Sequence, residues 1–231
     1  MASQATGPGV LYVNSKITSS KLSSEIFTKW YEDVHIPDIF ETSGIKSAYR
    51  YYTTSREPEA VERPYLALYL LRDVSFLQTA EFKSIPVHSD MVPSENKCIF
   101  DLADFDTRYY TNIAKHESGA AGQGPKSFIV SHQFDLPSEN GLSGDKDVLG
   151  WYLKKHESNA SRVRLYHLYF GRQNRMSQEE KKLAEPPQYL ALVEYDREED
   201  LRSFLESDKS QTGTTPAFSL LKAFGNTEHN F

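Results

Sequence analysis

The chain has 231 residues, of which 39% are hydrophobic and 25% charged, a composition typical of a globular protein that buries a core. Its net charge of −6 and the lack of a basic cluster argue against nucleic acid as a partner. A single cysteine, Cys98, excludes a disulfide within the chain, and no apolar run approaches the ~20 residues of a membrane span, so we expect no membrane partner and a cytosolic setting.

Short apolar runs bounded by Gly, Pro and Ser mark the elements of the first half. Ile26, Trp30 and Val34 recur at helical spacing, and Pro37 is expected to interrupt their helix. In chain order the pattern predicts a strand at 10–14, this helix, strands at 45–53 and 65–71, a helix at 74–84 and a strand within 98–114.

The second half predicts the same order of elements. It has a strand at 128–132, a helix at 147–159, strands at 163–170 and 188–195, a helix at 198–206 and a final strand at 219–226. The acidic first turn of the 198–206 helix is favoured by the helix dipole.

Two short motifs of the first half return in the second half. Trp30-Tyr31-x3-His35 is matched by Trp151-Tyr152-x3-His156, and Tyr65-Leu66-Ala67-Leu68 by Tyr189-Leu190-Ala191-Leu192. The offsets of 121 and 124 residues have the size of a small domain and indicate a duplicated unit. We predict a first unit at 1–117, a Gly-rich linker at 118–125 and a second unit at 126–231.

Each predicted unit has the order β-α-β-β-α-β, the ferredoxin-like arrangement. Such a unit covers one face of its sheet with helices, so its other face must be buried elsewhere. The sequence therefore predicts an α+β protein in which two four-stranded antiparallel sheets pack as a barrel within one chain. We expect a ligand cavity between the two sheets.

The segment Trp30-Tyr31-Glu32-Asp33-Val34-His35-Ile36-Pro37 resembles the EthD-type branch of the dimeric α+β barrel superfamily, which carries a Trp-x4-His-x-Pro pattern. The second unit keeps Trp151 and His156 but has Ser158 in place of the proline. The resemblance implies a tandem of two such units, similar in overall texture to fungal members. The superfamily includes cyclases, decarboxylases, dehydratases, metal-free monooxygenases, haem enzymes and stress-responsive proteins, so the fold does not decide the function.

His35 is the first candidate for acid/base chemistry. A His side chain titrates near neutral pH and suits proton transfer at the mouth of a cavity. The alternative is a structural role at the end of its own helix, where His is favoured. The presence of His156 at the same place in the second unit favours that alternative, so both interpretations stay open.

The second strands of the two units provide a candidate pair. Alignment of residues 48–52 with 165–169 places Arg50 opposite His167. An Arg side chain in the helix layer is costly unless it is paired, so we expect both side chains to face the cavity. Arg50 would hold a carboxylate or enolate, and His167 would act as acid or base. An internal ion pair of Arg50 is the alternative.

Six further side chains are predicted to position a substrate. They are Asn14 and His132, which align on the first strands, the loop residue His88, and Tyr52, Tyr65 and Tyr69. Tyrosine hydroxyls can orient a phenolic or keto compound, although such rings often only fill space. No short motif for a metal, a phosphate or a dinucleotide occurs, and we expect no cofactor.

The leading hypothesis is a small cofactor-independent enzyme of secondary or aromatic metabolism. It would bind a hydrophobic, oxygenated, polyketide-like compound and use His35, Arg50 and His167 for decarboxylation, dehydration or cyclisation. The rival is a non-catalytic stress-responsive or ligand-binding barrel protein. We expect the functional groups near His35 and Arg50, on the side of the first unit, and a homodimer of the chain stays open.

Overall fold

The computed structural model describes residues 5–119, 122–136, 144–156, 159–174, 186–207 and 216–226. Its strands are β1 (Gly9–Ile17), β2 (Ile45–Thr53), β3 (Tyr65–Leu71), β4 (Ala103–Glu117), β5 (Phe128–Phe134), β6 (Arg162–Gln173), β7 (Tyr189–Tyr195) and β8 (Ala217–Gly225). Its α-helices are α1 (Ser24–Trp30), α2 (Ile36–Glu41), α3 (Ala80–Lys83), α4 (Asp145–Lys155) and α5 (Glu198–Ser207). Residues 120 and 121 of the predicted linker, and Ser158, lie outside the described residues.

The eight strands close into one antiparallel barrel in the order β1-β3-β2-β8-β5-β7-β6-β4. Hydrogen bonds join the two halves of the chain at both edges, because β2 pairs with β8 and β4 pairs with β6. The two expected sheets are therefore continuous with each other and are not two separate layers. Closure pairs the strand edges, which would otherwise expose unpaired backbone groups.

Side chains from both halves fill the interior of the barrel. Alternate residues of each strand point inward, and together they form one buried cluster. Its members are Val10, Tyr12, Tyr49, Tyr51, Leu66, Leu68, Leu70, Tyr110, Ile129, Tyr166, Leu190, Leu192 and Phe218. The space in which we expected a ligand is thus occupied by tyrosine and leucine side chains, so the expected position of the cavity is wrong.

Ion pairs accompany the tyrosines inside the barrel. Glu194 accepts hydrogen bonds from Nε and Nη2 of Arg162 at 3.1 and 2.8 Å, and it lies 3.1 Å from Nε of Arg164. On β4, Asp106 accepts two hydrogen bonds from Arg108, at 3.0 and 2.7 Å. Paired, charge-assisted geometry of this kind offsets the cost of removing the charges from water.

The helices pack on the outside of the barrel. In the first half, Ser23 caps α1 by accepting a hydrogen bond from the backbone N–H of Ile26 at 3.2 Å. α1 continues through a π-helical turn, Tyr31–His35, into α2, where Pro37 occupies the first turn and needs no hydrogen-bonded N–H. Between β3 and β4 lie only α3 and two 3-10 helices, Val74–Gln78 and Ile99–Asp101. No helix among the described residues is long and apolar enough to cross a membrane.

Glu194→Gln should destabilise the barrel by about 3 kcal/mol, because it leaves two buried guanidinium groups without their shared carboxylate. Urea denaturation followed by circular dichroism measures the change. Asp33→Asn is the matched control, since Asp33 forms an exposed pair with Lys29 and its loss should matter little. Equal stability of the two variants would contradict this assignment.

Candidate functional site

A cavity of about 1000 Å³ lies between the helices of the first half and the outer face of the sheet, where β6 of the second half also contributes to its lining. Leu11 and Val13 of β1 form part of its floor, and Trp30 and His35 form one wall. The cavity exists because α3 is a single helical turn of 4 residues. A longer helix would cover this part of the sheet. The lining includes the aromatic side chains Trp30, Tyr31, Tyr69, Phe82, Phe100, Phe105, Tyr109, Tyr169 and Phe170.

His35 closes the π-helical turn and lies in the wall of this cavity. Its ring stacks on Trp30 with 4.6 Å between centroids and meets the Tyr31 ring edge-on at 5.4 Å. Desolvation lowers the pKa of His35 to about 4, and a hydrogen bond with the backbone of Pro86 offsets this in part. Nδ1 of His35 is buried and has no hydrogen-bond partner within the described part of the chain. His35 is therefore a neutral imidazole that can accept a proton.

Arg50 lies behind the wall that Tyr31 forms. Its Nη1 donates a hydrogen bond to Glu32 at 3.0 Å, and its guanidinium carbon is 4.8 Å from the centre of the Tyr31 ring. Glu32 also accepts a hydrogen bond from Lys222 of β8 at 2.7 Å. The orientation expected for Arg50 is thus wrong: it lies in the helix layer, where its pairing with Glu32 offsets the cost of burial.

Strand register explains why Arg50 and His167 do not meet. Arg50 pairs with Ala67 on β3, and the corresponding Ala191 on β7 pairs with Leu165. Leu165, two residues before His167, is therefore the counterpart of Arg50. His167 instead packs edge-on against Tyr189 in the second half, with 5.2 Å between ring centroids.

Asn14 and His132 lie on opposite faces of the sheet. Ala67 pairs with Val13, whereas the corresponding Ala191 pairs with His132, so the expected alignment is out by one residue. Asn14 lies on the barrel side, where it accepts a hydrogen bond from the Tyr12 hydroxyl at 2.5 Å. His132 lies in the helix layer of the second half, with Nδ1 3.1 Å from the Tyr152 hydroxyl.

The remaining candidates divide between the cavity and its surroundings. Tyr69 lines the cavity, and burial raises the pKa of both Tyr69 and its neighbour Tyr31, so both hydroxyls stay protonated at neutral pH. Tyr52 and Tyr65 pack against each other with 4.9 Å between ring centroids, outside the described lining. His88 is exposed, and its backbone forms a bridge with Cys98.

Of the predicted site residues, the structure brings His35 and Tyr69 together at the cavity. Sequence reasoning did not assign Tyr31, Tyr109 and Tyr169 to the site, and it overlooked the cations Lys83 and Arg172 in the lining. Tyr31 could have been found, because it follows Trp30 in the repeated motif. The other residues come from separate strands and a loop, and no local pattern links them.

A smaller cavity of about 610 Å³ lies in the second half, where His156 corresponds to His35. The His156 ring is 4.8 Å from that of His132 and 4.7 Å from that of Tyr152. His116, Asp200 and Ser203 also line this cavity. The described residues contain no group of three His, Cys, Asp or Glu side chains arranged to hold a metal ion.

The sequence matches no protein-family model, and no curated protein matches it significantly. Solved structures show the same fold at low identity. An "anthrone oxidase-like protein" is similar at 11% identity with a TM-score of 0.53, over 97% of this chain and 94% of the other. A "Putative monooxygenase" from Fusobacterium nucleatum subsp. nucleatum is similar at 10% identity with a TM-score of 0.50, over 99% of both chains. These similarities show that the chain has the fold of α+β barrel proteins.

His35 should make the stability of the protein fall with acid. Unfolded His binds a proton below about pH 6.5, whereas folded His35 does so only near pH 4. Between these values the unfolded state holds more protons, so stability declines as pH falls through this window, by no more than about 3 kcal/mol. His35→Gln should remove this part of the decline, as measured by urea denaturation at pH 7.5, 5.5 and 4.5.

The matched control is His88→Gln, at an exposed loop position. This variant should keep the acid sensitivity of the parent protein. A parent and a His35→Gln variant with parallel stability curves would show that His35 is not desolvated.

Proposed function

We propose that this chain is a small cofactor-independent enzyme that binds a hydrophobic, oxygenated aromatic compound in the cavity of the first half. His35 would remove a proton from that compound. The observation that carries the proposal is the neutral imidazole of His35, with Nδ1 unpartnered among the described residues, in the wall of an aromatic cavity of about 1000 Å³. A cavity of this size suits a compound of several fused rings.

The aromatic lining supports binding of a flat ring system. Phe105 and Tyr109 of β4 and Tyr69 of β3 offer ring faces and edges from the sheet, and Trp30 adds its indole from the helix. Aromatic side chains bind apolar rings while tyrosine hydroxyls meet oxygen substituents at the edges. The same lining would exclude water and so strengthen charge interactions inside the cavity.

Proton transfer would create a charge pair that this wall stabilises. The imidazolium of His35 would lie over the face of Trp30, where a cation is attracted by the ring electrons. The hydroxyl of Tyr31, which stays protonated and lies next to that of Tyr69, would donate a hydrogen bond to the developing oxyanion. Arg50, on the other side of the Tyr31 ring, makes the Tyr31 hydroxyl a better hydrogen-bond donor. Its positive charge counters the effect of burial on the pKa of that hydroxyl.

The names of the similar structures favour an oxygen-dependent fate for the substrate anion. In such a step a ring methylene would become a carbonyl group, with one atom of O2 entering the product and the other leaving as water. Decarboxylation, dehydration and cyclisation, which also need a group that takes up or delivers a proton, are the alternatives. Oxygen consumption and product mass separate these reactions.

We also propose that the chain is a tandem of two ferredoxin-like units of the EthD type. The strand orders β4-β1-β3-β2 and β8-β5-β7-β6 support two ferredoxin-like units in tandem, and the pattern Trp30-x4-His35-x-Pro37 supports the EthD-type branch. A polyketide-like substrate and a cytosolic location are parts of this proposal that rest on the sequence.

Binding is tested with the variant Trp151→Phe, which leaves Trp30 as the sole indole. A polycyclic phenol such as 1,8-dihydroxyanthrone should quench the fluorescence of this variant, because the compound would lie against Trp30. The complementary variant Trp30→Phe reports from Trp151, which is not among the lining residues, and should show little quenching. Equal quenching in the two variants would place the compound elsewhere.

Catalysis is tested by oxygen uptake and product analysis with the same compound. His35→Gln should lower kcat by about 10²–10⁴-fold with little change in Kd, because the base is lost while the aromatic walls remain. His156→Gln is the matched control in the second half and should keep parent activity. Tight binding without turnover in the parent protein would instead support the ligand-binding alternative.

A further inference from the structure

The larger cavity has a charge composition opposite to that of the whole chain. The chain contains 32 acidic and 26 basic residues. Among the described residues that line the cavity there is no Asp or Glu, and the charged side chains are Lys83 and Arg172. The cavity therefore presents positive charge on a protein that is negative as a whole, which favours an anionic group on the bound compound.

Both cations lie where the cavity opens to solvent. Lys83, Arg172 and Phe170 are exposed, whereas Trp30 and Tyr69 are buried deep in the lining. An aromatic compound that inserts its rings toward Trp30 and His35 would thus keep its outer end between the two cations.

Tyr109 packs against residues that are close in sequence to the two cations. Phe82, next to Lys83, meets the Tyr109 ring at 6.0 Å between centroids, and Phe170, two residues before Arg172, meets it at 4.9 Å. Arg172 also lies close enough to Tyr109 for its charge to counter the effect of burial on the pKa of that hydroxyl. Lys83 and Arg172 are therefore close in sequence to side chains that pack on the Tyr109 ring, and both line the same cavity.

Neither cation forms an ion pair within the described part of the chain. Arg50 and Arg63 differ in this respect, since Arg50 pairs with Glu32 and Arg63 pairs with Asp104 at 2.9 Å. Unpaired Lys and Arg side chains with a free path into the cavity mouth can bind an anion without first breaking an internal contact.

We propose that the compound bound by this protein is an aromatic carboxylate, whose fused rings fill the cavity and whose carboxylate group lies at the mouth between Lys83 and Arg172. This inference rests on the proposed function and adds the class of its substrate. Arg172 can hold a carboxylate through two parallel N–H groups, and Lys83 adds a second positive charge. The carboxylate would orient the ring system, so that its opposite end faces His35.

The experiment compares two fluorescent probes of equal shape, anthracene-2-carboxylate and anthracene-2-carboxamide. The carboxylate should bind the parent protein about tenfold more tightly than the amide at low salt, and the difference should shrink as salt is added. In the double variant Lys83→Gln/Arg172→Gln, the two probes should bind within about twofold of each other, because only the carboxylate loses a contact. Affinity for the amide should not change.

The matched control is Lys29→Gln/Arg202→Gln, which removes the same charge from exposed helix positions with i,i+4 acidic partners. It should keep the preference of the parent protein for the carboxylate. Equal binding of the two probes to the parent, or an undiminished preference in the Lys83/Arg172 variant, would overturn this inference and leave the aromatic cavity intact. Failure of both probes to bind the parent would overturn the inference together with the proposed function.

Discussion

The alternation of side chains along the strands of a closed barrel determines where this protein can hold a ligand. Each strand sends one set of side chains into the barrel and the other set toward the helices. The inward set includes Tyr12, Tyr51 and Tyr166 together with the Glu194 ion cluster, and it fills the interior. The space for a small molecule is therefore on the helix side of the sheet. The cavity of the first half occupies that layer.

The two halves cover this layer differently. In the second half, α4 and α5 are helices of 11 and 10 residues that pack on the sheet, whereas α3 of the first half has only 4 residues. The larger cavity follows from this thinner cover. The π-helical turn then brings His35 beside Trp30 in its wall, and Glu32 from the same turn ties Arg50 and Lys222 together. The segment from Trp30 to His35 thus provides the proposed base, His35, the indole that stacks on it, and the carboxylate of Glu32 that pairs with Arg50.

The order of elements could be predicted from the sequence, because apolar periodicity and turn residues act locally. The bounds of β2 and β3 agree with the expected 45–53 and 65–71. The expected interruption at Pro37 is wrong, because the helix passes through the π-helical turn Tyr31–His35 and continues past Pro37 to Glu41. The facing of side chains could not be predicted in the same way. A strand that is apolar on both faces carries no signal for which face is inside. The sequence alignment of Asn14 with His132 was wrong by one residue, and it therefore placed on one face two side chains that lie on opposite faces of the sheet. Arg50 was misplaced because its partner Glu32 lies on a helix 18 residues away.

The most direct test of this account is a crystal structure of the protein with a bound polycyclic phenol. The account predicts that the ring system lies in the first-half cavity against Trp30, with an acidic carbon or hydroxyl group directed at the imidazole of His35. A compound bound inside the barrel between Tyr12 and Tyr166, or in the second-half cavity beside His156, would contradict it.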